Sequence, residues 1–367
     1  MRYAILLTLL LAFLALACNG GEDTRPTATS TVEVLAPTAT TMPEPSVQHI
    51  AYIGTDGNIW IMKVDGSGQS RLTDNPAPGG ISGFAWSPDG TRIAFYTDSD
   101  ENRTIYVMSA DGSQLTLLTD RSASDQHPVW SPDGARIAFT SGGGFFDRSL
   151  ENSEIYVANA DGSGVTNLTD RRAQDFFPAW SPDGSRIAFV SASGDRPDID
   201  IFVMNADGSG LTNLTNSPGS DYAPAWSPAG TRIAFFQFQP DGKADIYIVN
   251  ADGSGQTNLT NGSANDIAPV WSSDGTRIAF LSGLGPLSAN LGPYDIHVVN
   301  VDGSGQTRLT DNPGRDDTSH AWAPDGSRIA FTRVEPDGSS AIYIMNTDGS
   351  AQTRLADGSQ PAWQPQP

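Results

Sequence analysis

The stretch Trp180-Ser181-Pro182-Asp183-Gly184-Ser185-Arg186-Ile187-Ala188-Phe189, continued by Ile201-Phe202-Val203-Met204-Asn205-Ala206-Asp207-Gly208-Ser209-Gly210, decides the fold. Pro178-Ala179-Trp180 reads as the end of a strand, A. Ser181–Gly184 reads as a tight turn, because Pro presets φ, Asp bonds neighbouring backbone amides and Gly supplies positive φ. Arg186 to Val190 is strand B and Asp200 to Asn205 is strand C. Ala206 to Gly210 is a second Gly-rich hairpin turn, from which Leu211 to Thr215 returns as strand D. Strands B and C are apolar at nearly every position, as expected of strands covered on both faces.

Working outward, the same pattern fills the chain from residue 48 to the end. The strand-ending Trp recurs at Trp86, Trp130, Trp180, Trp226, Trp271, Trp322 and Trp363, at intervals of 41–51 residues. Self-similarity at that period with strand-like content predicts an all-β, seven-bladed propeller with one four-stranded blade per repeat. The ends complete each other. The first copy starts at strand B, His49-Ile50-Ala51-Tyr52, and the last has only strand A, Gln360-Pro361-Ala362-Trp363. Pairing of these two strands closes the ring and removes the sheet edges that invite aggregation.

The motif Trp-Ser-Pro-Asp-Gly-x-Arg-Ile-Ala-Phe, followed by Ile-Tyr-Val-Met-Asn-Ala-Asp-Gly-Ser, resembles the TolB-like (PD40, WD40-like) propeller repeat, which also occurs in the propeller domains of prolyl-oligopeptidase relatives. The resemblance covers residues 48–364 and implies the propeller fold. TolB itself has an extra N-terminal domain and six blades in that family, so its role in the Tol–Pal system and its partner-binding residues are not carried over. The peptidase relatives have a hydrolase domain beyond the propeller, for which this sequence shows no counterpart.

The chain has 367 residues, 38% of them hydrophobic, and a formal net charge of −21. A nucleic-acid binder needs a basic stripe to displace counterions, so this balance argues against DNA or RNA as partner. Twelve of the 42 acidic residues are turn Asp: Asp89, Asp133, Asp183, Asp274 and Asp325 between strands A and B, and Asp65, Asp111, Asp161, Asp207, Asp252, Asp302 and Asp348 between C and D. The sole cysteine, Cys18, excludes an intramolecular disulfide. It ends an apolar run from Ala4 that is shorter than a membrane span. Ala15-Leu16-Ala17-Cys18 resembles the lipobox of bacterial lipoproteins, with Ala15 where Leu is usual. A plain secretory signal is the other reading. Residues 1–17 are therefore expected to be a signal peptide, with Cys18 the site of lipid attachment. Residues 18–47, rich in Thr, Pro and Ala, are expected to form a disordered tether of about 30 Å span. Residues 48–367 form the propeller, expected to be an extracytoplasmic monomer that meets the membrane only through its lipid.

Function is sought where the repeat varies. The A–B and C–D turns, which share one face, barely change between copies. The B–C segments on the other face do change, as in Asp98–Asn102, Gly142–Ser153 and Gly283–Tyr294. Binding residues concentrate on loops held by a rigid frame, which favours that face; neutral drift is the alternative. Asp125, Asp175, Asp221, Asp266 and Asp317 each stand five residues before the Trp, in the D–A loop, and are expected to ring the channel mouth. Converging carboxylates could bind calcium or a basic group, or each could bond its own backbone or the next blade. No other cofactor is expected. Phe176, Phe177 and Tyr222 flank the ring, with Phe145, Phe146, Phe238 and Tyr294 in B–C segments, as contacts for a peptide or sugar or as core cover.

Catalytic patterns are missing. His49 and His297 fall in strands, and His127 and His320 fall in strand A as core groups. No nucleophile elbow occurs, and the Gly-rich runs are hairpin turns without a following helix. The expected function is a lipid-anchored envelope scaffold binding a protein, peptide or glycan through the B–C/D–A face. The alternatives are a lyase- or glycosidase-type enzyme using carboxylates at the channel mouth, and a purely structural envelope protein.

Overall fold

The computed structural model describes residues 48–74, 80–98, 103–119, 123–142, 153–193, 199–283 and 293–366. Cys18, the expected tether and Phe145 and Phe146 lie outside the described residues, as do parts of the B–C segments. The described residues form seven four-stranded antiparallel sheets and no helix. The A strands are Ile81–Trp86, Asp125–Trp130, Ala173–Trp180, Ser220–Trp226, Asn265–Trp271, Asp316–Trp322 and Ser359–Trp363. Each A strand touches the A strand of the next blade, so together they surround a central axis. Strand D is short and outermost, as in Thr212–Asn213.

The core lies between blades. Ile187, Ala188, Phe189 and Val190 of one B strand are all fully buried, as the unbroken apolar run requires. The strand-ending Trp ties blade to blade. Its indole N–H donates to the carbonyl of the residue before the preceding blade's Trp, as in Trp226 to Ala179 (3.1 Å) and Trp271 to Ala225 (2.9 Å). The motif Arg of the preceding blade stacks over the same indole, as Arg186 does on Trp226 at 4.8 Å. At Trp130, Trp226, Trp271, Trp322 and Trp363 one residue therefore serves core, hydrogen bond and cation–π contact.

Strand A carries a β-bulge in every blade. In six blades the residue three before the Trp has positive φ without being Gly: His127, Phe177, Ala223, Ala268, Ser319 and Gln360. Pro follows in five of these, and Pro has no N–H to give to a ladder, so a bulge is where it fits. Left-handed backbone costs a non-Gly residue about 1–2 kcal/mol. The amide freed by the bulge is reused between blades: Phe177 N donates to Thr140 Oγ1 and Gln360 N to Thr332 Oγ1.

The ring closes as the sequence predicts. Ser359–Trp363 pairs antiparallel with His49–Ile53, Ile50 opposite Trp363 and Ala51 opposite Ala362. The chain break occupies the place of an A–B turn. Gln48 bonds Asp325 and Arg328 of the neighbouring A–B turn, and Gln364 Nε2 donates to the Gly90 carbonyl on the other side. Both ends of the propeller thus emerge on the face of the A–B and C–D turns.

Candidate functional site

The five Asp of the expected ring open or sit early in their A strands rather than in the D–A loop. All five are 0–3% exposed, so they do not present carboxylates at the channel mouth. The bulged strand turns each of them into the interface with the preceding blade. Among the described residues, no three His, Cys, Asp or Glu side chains come together as a metal site.

Four of these Asp belong to carboxyl pairs that the sequence reading missed. The second member is the first or second residue of strand C of the preceding blade: Glu154 for Asp175, Asp200 for Asp221, Asp245 for Asp266 and Asp295 for Asp317. The signal was an acidic residue 21 or 22 positions before the Asp in four consecutive copies. A Thr from the end of strand D serves each interface. Its hydroxyl accepts the amide of the Ile after the strand C acid, as Thr215 does from Ile201, and donates to a carboxyl, as Thr169 does to Glu154 at 2.6 Å.

Two carboxylates buried together repel, and the interfaces answer this either with a cation or with a carboxyl whose ionisation burial holds back. Arg171 grips Asp175 through Nε (3.0 Å) and Nη2 (2.7 Å), while burial pushes Glu154 up to about 7. Asp221 accepts from Gln237 Nε2 (2.8 Å) and Ser217 Oγ (3.0 Å), yet burial, assisted by Asp200, raises it to about 7. Burial likewise raises Asp266 to about 6, and its Oδ1 has no hydrogen-bond donor among the described residues. Their partners Asp200 and Asp245 accept the side-chain amides of Asn213 and Asn258. The last interface holds two cations. Arg333 forks onto Asp317 at 2.6 and 2.8 Å, and Arg308 reaches Asp295 at 2.6 Å. Burial opposes the Arg333 charge, but the Asp317 carboxylate outweighs it and holds the guanidinium protonated. With the closing blade of Ser359–Trp363 and His49–Ile53 counted as blade 1 and Ile81–Trp86 as the A strand of blade 2, the pairs are internal fastenings between blades 3 and 7.

The expected aromatic contacts are also interior. Phe176, Phe177, Tyr222 and Tyr294 are buried, Tyr222 stacking on Phe236; Phe238 is half-buried beside them. His127 and His320 are core groups, as the sequence indicated. Burial lowers them to about 3 and about 4, so they remain neutral imidazoles at physiological pH.

A cavity opens at the other end of the channel, among the A–B turns. Its volume is about 110 Å³, and it is bordered by Trp226, Trp271, Trp322, Trp363 and the turns of blades 4 to 7. The turn is Ser-Pro-Asp-Gly in blades 2, 3 and 4 and departs from that pattern in the next three. Blade 5 has Ala229 in place of Asp, blade 6 has Ser273 in place of Pro, and blade 7 has Ala323 in place of Ser. Pro228, Ser273 and Ala323 all line the cavity. Elsewhere the turn Pro packs on the next turn's Gly, as Pro182 does on Gly230; in blade 6 the Ser273 hydroxyl takes that position against Gly326. Two of the three departures, Ser273 and Ala323, therefore line one opening, and the third, Ala229, adjoins it through Pro228.

The family model described as TolB beta propeller domain (PD40) matches residues 13–145 and 148–286. No curated protein matches the sequence. Among solved structures, TolB from Acinetobacter baumannii is 21% identical, with a TM-score of 0.55, covering 84% of this chain and 78% of that one. A putative TolB from Agrobacterium tumefaciens is 23% identical, with a TM-score of 0.51 over 66% of this chain and 84% of that one. Oligogalacturonate lyase from Vibrio parahaemolyticus is 14% identical, with a TM-score of 0.60 over 85% of each chain. At these identities the structural likeness is one of fold.

Proposed function

The chain belongs to the TolB β-propeller family, and from that premise we propose that it is a non-enzymatic scaffold of the cell envelope that holds a protein or peptide partner at the A–B end of its channel. One observation carries this reading: of the three departures from the Ser-Pro-Asp-Gly motif among the complete A–B turns, Ser273 and Ala323 line the cavity described above and Ala229 adjoins its Pro228. A rigid ring that keeps its turns constant elsewhere has specialised them here. The Trp, Pro, Ala and Val side chains of the lining give it apolar surface for a peptide side chain.

The B–C/D–A face has weaker support, because its repeated carboxylates are spent on blade interfaces. The same burial counts against a lyase or glycosidase, whose acid and base must reach a substrate. The envelope location rests on the apolar run that ends at Cys18 and on the family. The chain leaves the propeller on the A–B side at Gln48, so a lipid on Cys18 would tether the molecule from the side that carries the mouth.

A photo-crosslinking amino acid at Ser273, introduced in intact cells, tests the reading. Adducts to a partner are expected from position 273 and not from Val165 on the outer rim. Adducts from position 165 and none from 273 would overturn it.

A further inference from the structure

The chemistry of the partner follows from the charges around this mouth, taking the mouth itself from the reading above. The twelve turn Asp all lie on this face, since A–B and C–D hairpins share one end of an antiparallel blade. All twelve are exposed. Asp89, Asp133, Asp183, Asp274 and Asp325 form an inner circle near the axis; the seven of the C–D turns form an outer one.

Their ionisation is fixed by the turns. In the outer circle, Ser hydroxyls and backbone amides donate to one carboxylate oxygen, as Ser209 Oγ (2.6 Å) and N (2.9 Å) do to Asp207, and lower the pKa. In the inner circle partial burial opposes such bonds, as at Asp89, and the bonds to Ser87 and Thr91 prevail. Seven cations stand against these twelve Asp. Arg92, Arg136, Arg186, Arg277 and Arg328 lie near inner Asp but are stacked over the Trp indoles, as is Arg232 beside Ala229. Lys63 stands near Asp65. None of the twelve forms an ion pair within 4 Å among the described residues. An apolar cavity is thus framed by a rim of permanent negative charge.

We propose that the mouth takes a basic peptide segment carrying one apolar side chain, with the side chain in the cavity between Pro228, Ser273 and Pro324 and the flanking Lys or Arg residues facing the Asp rim. The cavity is of the right order for one aliphatic side chain, since a cavity of about 150 Å³ holds a benzene ring. Rim charges of this kind set association rate and salt dependence, and the buried side chain sets lifetime. The same rim repels anionic lipid headgroups, so a face on the tethered side stays available to a partner.

The test titrates the full chain with a fluorescein-labelled peptide of four lysines around a central leucine, read by polarisation and by Trp fluorescence. Binding is expected to weaken about tenfold or more when the leucine becomes glycine, the loss for one buried aliphatic group. It is also expected to weaken steeply with added salt and to vanish when glutamates replace the lysines. Ser273→Trp should block it at unchanged melting temperature, and Pro228→Trp, from the other side of the cavity, should block it in a protein that still unfolds cooperatively, at a melting temperature lowered by the lost packing on Gly275. Equal binding by the glutamate peptide, or no binding by either leucine peptide, overturns the partner chemistry while the crosslinking result still stands or falls alone. Binding by the lysine peptide that survives both filling variants overturns the mouth as the site.

Discussion

Trp363→Ala strikes the seam where the two ends of the propeller meet. Trp363 is 4% exposed and packs between blade 7 and the strand His49–Ile53. Truncating a buried Trp to Ala costs about 3–5 kcal/mol through lost burial and the cavity left behind. Its Nε1 also donates to Ala321 O at 3.1 Å, and the orphaned carbonyl adds about 1 kcal/mol. The Arg328 guanidinium 5.6 Å from the indole loses a cation–π partner, a further ~0.5 kcal/mol. The total is about 5 kcal/mol, which for a chain of this size lowers the melting temperature by roughly 10 °C. Trp271→Ala, the same change in the middle of the ring, is the comparison and should cost about as much. Calorimetry on both variants checks this. A shift for Trp363→Ala of less than about a quarter of that for Trp271→Ala would refute the argument that the seam is packed like any other blade interface.

Other changes test the interfaces and the anchor. Burial raises Asp221 to about 7 from its ordinary 3.8, so the folded protein keeps a proton that the unfolded chain releases between about pH 4 and about pH 7. Stability therefore falls as pH rises through that window and levels off above it. Asn titrates nothing, so Asp221→Asn should match wild type near pH 4 and exceed it by a few kcal/mol, about 4 at most, above pH 7, by urea midpoints. An advantage independent of pH would contradict the raised pKa. Arg333→Met leaves Asp317 buried and unpaired and should cost about 3–5 kcal/mol, most of it recovered by adding Asp317→Leu; additive losses in the double variant would show that the pair is not the cause. Cys18→Ser should release the protein from membranes or leave an unprocessed precursor, and wild-type fractionation and mobility would refute lipid anchoring.

The blade was legible because its rules are local. Ser-Pro-Asp-Gly makes its turn from four adjacent residues, and the apolar runs of strands B and C announce two covered faces wherever they occur. Counting seven Trp and noticing that the first copy lacks strand A also foretold the closure, since an antiparallel ring with one split blade has only one way to remove its edges. The placement of Asp125, Asp175, Asp221, Asp266 and Asp317 was not legible in this way. Their offset from the Trp located them along the chain, but whether a carboxyl meets solvent or a neighbouring blade depends on the bulge that rotates strand A and on residues up to 22 positions away. The acidic partners Glu154, Asp200, Asp245 and Asp295 become meaningful only when consecutive blades are set side by side. The same holds for Ala229, Ser273 and Ala323. Each is a minor lapse from a motif when read along the chain. Ring closure brings Ser273 and Ala323 to one opening and Ala229 beside it, because propeller geometry brings equivalent positions of different repeats to a common axis, which sequence separation conceals.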